Sequence, residues 1–152
     1  MVPRSKQRAR RNALLVGAAF ADVRRMRSAL VVEDDTSIQQ LIVELLHEQG
    51  FDRVFAAAGP NRAQTIASQE PLDLVVLDYL LGGASGVEVA DQLRAIPGFK
   101  APVLVTTALP EKEAQRVCSE ADACECVSKP FDITEFLRAV QRCTDGEAAV
   151  TV

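Results

Sequence analysis

Asp78 closes the apolar run Leu72-Asp73-Leu74-Val75-Val76-Leu77, which puts a carboxylate at the mouth of a buried strand. Charge there is costly unless it has a partner or a task. Three further apolar runs end in polar groups: Leu30-Val31-Val32 in Glu33-Asp34-Asp35, Val103-Leu104-Val105 in Thr106-Thr107, and Val127-Ser128 in Lys129-Pro130. As parallel strands these would bring acid, acid, hydroxyl and amine to one sheet edge, where open α/β folds bind ligands. Glu33, Asp34 and Asp78 would repel one another there unless a cation lay between them. Oxygen ligands of this kind fit Mg2+, which usually shares its shell with phosphate. The expected chemistry is therefore phosphoryl chemistry. A carboxylate such as Asp78 can attack phosphorus to form an acyl phosphate. The Lys129 ammonium and the Thr107 hydroxyl would then stabilise charge on the equatorial oxygens.

The elements that must position these groups follow from hydrophobic spacing. Ile38, Leu41, Ile42, Leu45 and Leu46 recur with helical period, with Thr36 or Ser37 available as cap and Gly50 as stop. A second strand is predicted over 51–57, and a helix from Gly59-Pro60 to Ala67. Residues 80–85 read as a glycine-rich loop after Asp78. Val87, Val89, Ala90, Leu93 and Ile96 mark a helix closed by Pro97-Gly98. A strand over 102–107, a helix over 111–121, a strand over 124–128 and a helix over 133–143 complete the chain. Five strands alternating with five helices predict an α/β, doubly wound parallel sheet covered on both faces.

At 152 residues and 48% hydrophobic content, the chain suits one domain with a real core. Eight of its 17 basic residues fall in the first 27 positions, against one acid, Asp22; residues 28–152 then hold 9 basic and 20 acidic residues. So acidic a domain is a poor direct binder of nucleic acid. It is expected to be cytoplasmic, with residues 28–145 forming the domain and 146–152 a flexible tail. Residues 1–27 have three readings: a signal-like head, a basic disordered or helical extension, or an upstream start that is not translated. No apolar stretch reaches the roughly 18 residues of a membrane-spanning helix. Cys118, Cys124, Cys126 and Cys143 lack paired C-x-x-C zinc spacing and read by default as small buried hydrophobes. Cys124 and Cys126 would face one side of a strand, where a disulfide between the two or a metal clip is the minor reading.

The joint pattern resembles the response regulator receiver domain of two-component signalling, over residues 29 to about 144. Glu33-Asp34 matches the family's acidic pair, Asp78 its phosphoacceptor, and Gly86 the glycine eight residues later. Thr107-Ala108 matches its switch hydroxyl and Lys129-Pro130 its Lys-Pro. The resemblance implies a flavodoxin-like fold of strand order 2-1-3-4-5 and a cis Lys129–Pro130 bond. It also implies direct Mg2+ ligation by Asp34, Asp78 and the Leu80 backbone carbonyl, with Glu33 acting through water. Two departures stand out. Gly82 replaces the usual proline four residues after the acceptor, which predicts a looser loop. Cys126 occupies the switch position where the family usually has tyrosine or phenylalanine, so the usual aromatic relay is absent. Leu80 and Leu109 flank the family's path for hydrolytic water and predict slow self-dephosphorylation.

Other residues at the strand ends have plainer roles. Asp35 is expected to cap a helix, Thr106 to be structural because adjacent strand residues face opposite ways, His47 to lie on the surface, and Tyr79 to point away from Asp78. The implied protein is a single-domain regulatory phosphoacceptor and not an enzyme. It would take its phosphoryl group from a histidine kinase or histidine phosphotransfer protein and act through a downstream protein target. The alternative is a degenerate receiver that binds partners without phosphate. A phosphatase of the haloacid dehalogenase type would need an aspartate where Leu80 stands.

Overall fold

The computed structural model describes residues 26–150. In chain order the elements are β1 (Ser28–Val32), α1 (Thr36–Glu48), β2 (Arg53–Ala57), α2 (Pro60–Gln69), β3 (Leu74–Asp78), β4 (Leu80–Leu81), β5 (Ala84–Ser85), α3 (Gly86–Arg94), β6 (Val103–Thr107), α4 (Glu111–Glu120), β7 (Glu125–Ser128) and α5 (Ile133–Val150). The main sheet has the order β2-β1-β3-β6-β7. All of its pairings are parallel. With the two short strands set aside, this is the expected 2-1-3-4-5 order, and the doubly wound, flavodoxin-like class follows from it.

Side-chain alternation along the strands divides the core in two. Leu30, Val32, Val75, Leu77, Val103 and Val105 face α2, α3 and α4, where they meet Ile66, Val89, Leu93 and Cys118. Ala29, Val31, Leu74, Val76, Leu104 and Val127 face α1 and α5, meeting Ile42, Leu46, Phe136 and Val140. The three central strands are buried along their whole length, as continuous apolar runs in a parallel sheet require.

Several local expectations change. The segment after Asp78 is an antiparallel hairpin, Leu80↔Ser85 and Leu81↔Ala84, rather than a loose loop. Gly82 turns it with φ +62°, a value closed to proline, whose ring fixes φ near −65°. The last helix, expected over 133–143, continues past Cys143, and its backbone runs to Val150. The basic extension lies, up to residue 25, outside the described residues. Arg27 already belongs to the fold: its amide donates to Asp52 at 2.8 Å, and its guanidinium lies 4.4 Å from the centre of the Phe51 ring.

The cysteines are not free buried hydrophobes. They form two disulfides, Cys118–Cys126 and Cys124–Cys143. Strand β7 begins only at Glu125, so the alternation that would place Cys124 and Cys126 on one side does not extend to Cys124. At this sheet edge Cys126 turns to α4 and Cys124 to α5.

Candidate functional site

The four polar strand ends do meet at one edge of the sheet. Glu33 follows β1 directly and is 1% exposed; Asp78 closes β3 and is 7% exposed; Asp34 is exposed. Carboxylate oxygens of Glu33, Asp34 and Asp78 all lie within 4.8 Å of one another. The Lys129 ammonium reaches in from the end of β7, 2.5 Å from Glu33 Oε1 and 3.2 Å from Asp78 Oδ2. The cis Lys129–Pro130 bond follows it. Glu33 Oε2 also accepts the Asp35 amide at 3.3 Å.

These contacts set the site's protonation. Burial pushes the Glu33 carboxyl above its ordinary range, with Asp78 adding to the shift and the hydrogen bond from Lys129 opposing it. Burial works against the Lys129 charge as well. The hydrogen bond to Glu33 and the negative charges of Asp78 and Glu33 outweigh that, so Lys129 lies above the ordinary lysine value. Hard carboxylate oxygens at this spacing suit a small divalent cation. Among the described residues this is the one such acidic group found within reach of an ion.

The neighbouring backbone is folded around Asp78. The Leu80 amide donates to Asp78 Oδ1 at 3.3 Å, which brings the Leu80 backbone beside the Asp78 carboxylate. The Leu80 side chain is 58% exposed, while Leu109 is half-buried. Gly86 opens α3 so close beneath that an added Cβ would stand 2.9 Å from both Asp78 O and Tyr79 Cα. Thr107 is buried at the end of β6, and its hydroxyl accepts the Leu109 amide at 3.0 Å. Its carbonyl accepts the Lys129 amide at 2.7 Å.

The residues expected to have plainer roles behave as such. Asp35 caps α1 through the Ile38 amide at 3.0 Å. Thr106 is buried and its carbonyl accepts the Tyr79 amide at 2.9 Å. Tyr79 packs against the core on the α3 side. His47 is exposed, with Nδ1 3.0 Å from Phe51 O. Two features escaped the sequence. Glu33 is the nearest partner of Lys129, and Cys126 is bonded to Cys118. An even number of cysteines near one end of the chain was the only hint of the second.

The response regulator receiver domain family matches residues 29–141. Sensory transduction protein RegX3 of Mycolicibacterium smegmatis is 33% identical over 116 residues, 76% of this chain and 50% of its own length. DNA-binding response regulator MtrA of Mycobacterium bovis is 33% identical over 131 residues, 84% of this chain and 56% of its own. The chain thus spans about half the length of these curated relatives. Among solved structures, a response regulator from Chloroflexus aurantiacus superposes with TM-score 0.72 at 26% identity, over 79% of this chain and 98% of its own. The receiver domain of sensor histidine kinase PA1611 from Pseudomonas aeruginosa, solved with magnesium coordinated in its active-site cleft, gives 0.68 at 27% identity, over 78% and 97%. Among the described residues, no helix is long and apolar enough to cross a membrane. Sheet order, acidic cluster and sequence similarity agree: the chain belongs to the response regulator receiver domain family.

Proposed function

We propose that Asp78 is the phosphoacceptor of a cytoplasmic response regulator. A phosphohistidine on a histidine kinase or histidine phosphotransfer protein is the donor. An Asp78 carboxylate oxygen forms the new P–O bond as the P–N bond to imidazole breaks, and the imidazole leaves with the bonding electron pair. The observation that carries this reading is the convergence of three carboxylates within 4.8 Å, with Lys129 bonded to two of them.

Asp34, Asp78 and the Leu80 carbonyl would hold Mg2+, with Glu33 acting through water. The ion would supply positive charge against the phosphoryl oxygens. Lys129 is placed to exchange a carboxylate contact for a phosphoryl oxygen. Thr107 can turn its hydroxyl to another, giving up the bond from Leu109. Leu80 and Leu109 offer no side-chain base to activate water, so the acyl phosphate decays slowly. The signal passes to a downstream protein by contact, without direct nucleic-acid binding by the acidic domain. Residues 28–145 carry this function.

The test is incubation with Mg2+ and acetyl phosphate, followed by intact mass, beside Asp78→Asn. A gain of one phosphate in the wild type and none in the variant is expected. No gain in a folded wild type would leave a phosphate-independent binding module. A phosphoryl lifetime of only seconds would rule out the slow decay assigned to the two leucines.

A further inference from the structure

Phosphoryl chemistry leaves the two disulfides unused, and both lie on the α4–β7–α5 side of the molecule. Cys118–Cys126 joins α4 to β7, and Cys124–Cys143 joins the start of β7 to α5. Strand β7 is therefore tied covalently to a helix on each face of the sheet.

Beyond the bridge, the C-terminal end of helix α4 is held by the Arg94 guanidinium, which donates to the Ala121 and Asp122 carbonyls, whereas the N-terminal part of the helix is lightly held. Its N-cap is Pro110, with no side-chain cap, and the side chains it buries are small: Ala114, Val117 and Cys118. Little apolar area means little burial energy to fix its position. Its start is also close to the site, because residues 108–110 run directly from Thr107 into α4. The Leu109 amide in that link is held by the Thr107 hydroxyl. Any event that draws this hydroxyl elsewhere releases Leu109 and the uncapped start of α4. The far end of the helix cannot follow freely, because Cys118 is bonded to Cys126, in register with Val105 of β6.

We infer that the Cys118–Cys126 bridge is a redox clamp: when oxidised it holds α4 on β7 and suppresses the response of this face to phosphorylation, and when reduced it permits that response. This rests on the receiver reading of Asp78 above. The reductant is a protein or small-molecule dithiol. One thiolate attacks Sγ of Cys126, half-buried where Cys118 is only 9% exposed, and the Cys118 thiolate leaves. The second thiolate of the reductant then displaces Cys126. Two electrons and two protons pass to the protein, and the reductant departs as a disulfide. A disulfide oxidant reverses the step. In a reducing compartment such bonds are usually transient and redox-sensing.

The full chain, treated with a disulfide oxidant and alkylated after denaturation, should carry no alkyl groups and weigh four hydrogens less than the reduced form. Oxidised and dithiol-reduced protein are then treated with acetyl phosphate and Mg2+. Phosphate occupancy is read by intact mass, and amide hydrogen exchange over Glu111–Glu120 is read on the same samples. At equal occupancy, the phosphorylation-dependent change in exchange should be present in the reduced protein and lost in the oxidised one. Cys118→Ser should show that change with or without dithiol, whereas Cys124→Ser/Cys143→Ser should remain sensitive to dithiol.

Four alkylated cysteines even after treatment with the disulfide oxidant would overturn the clamp. Equal exchange changes in both redox states would do the same while leaving the phosphoacceptor reading intact. Loss of fold in both the reduced chain and Cys118→Ser would make the bridge a structural staple instead. No phosphate uptake in either state would overturn the receiver reading, and the clamp with it.

Discussion

Among the described residues Lys129 is the one cation bonded into the acidic pocket, and its removal would leave Glu33 and Asp78 facing each other with no charge between them. Lys129→Met should destabilise the Mg2+-free protein by roughly 2–4 kcal/mol at neutral pH, as expected when one member of a buried ion pair is lost. Urea unfolding measures it, and the difference from wild type should shrink with added Mg2+. Glu33 titrates in the same pocket. Its raised pKa means that the folded protein keeps this proton to a higher pH than the unfolded chain does. Over a window beginning at the ordinary value of 4.5 and extending upward, the folded state therefore binds more protons, and the Glu33 contribution to stability falls as pH rises. Without Mg2+, the stability of wild type relative to Glu33→Gln should decline through that window. Parallel urea titrations that show the opposite slope would exclude the assignment. The acids themselves were legible in the sequence because charge at the mouth of a buried strand needs a cause. The direct Glu33–Lys129 bond was not, because reading the strand ends brings four groups together without saying which two touch.

At the scale of elements, the strand that ends in Asp78 and the helix after it are joined by a very close approach at Gly86. Its amide donates to Tyr79 O at 2.6 Å, and both near neighbours of an added Cβ are backbone atoms, so neither can rotate away. Gly86→Ala should cost about 1–3 kcal/mol, the range for overpacking a tight site. Because the displaced atoms belong to Asp78 and Tyr79, phosphate uptake from acetyl phosphate should slow as well, even under conditions where the variant is fully folded. Stability by urea unfolding and uptake by intact mass separate the two effects. The position of this glycine was legible through family resemblance, while its physical reason needed three-dimensional placement. The hairpin after Asp78 was missed because strands of two residues carry no readable alternation. The pairing of Cys124 was missed for a related reason: the alternation rule was applied one residue beyond the strand that obeys it.

Over the whole molecule, the βα alternation was legible because each central strand is an unbroken apolar run and each helix has a single apolar face. Covalent ties between elements leave no such period in a sequence. Their energetic share can nevertheless be bounded. The bridges span sequence separations of 8 and 19, for which loop-closure entropy gives roughly 2.5–3.5 kcal/mol each. The two loops overlap between Cys124 and Cys126, so the second closure is made in a chain already shortened by the first, and the contributions add to less than their sum. The core does not depend on them. Apolar clusters on both faces of the sheet draw on all five main strands and all five helices, and most of their members lie outside the segment the bridges enclose. Full reduction with a dithiol should therefore lower the urea midpoint by the equivalent of about 3–5 kcal/mol and leave the chain folded at 25 °C. Far-ultraviolet circular dichroism of oxidised and reduced samples gives the comparison. A reduced chain that stays folded is also the condition for thiol exchange to act as an input to this receiver, since a tie whose loss unfolds the domain could not be released and remade during signalling.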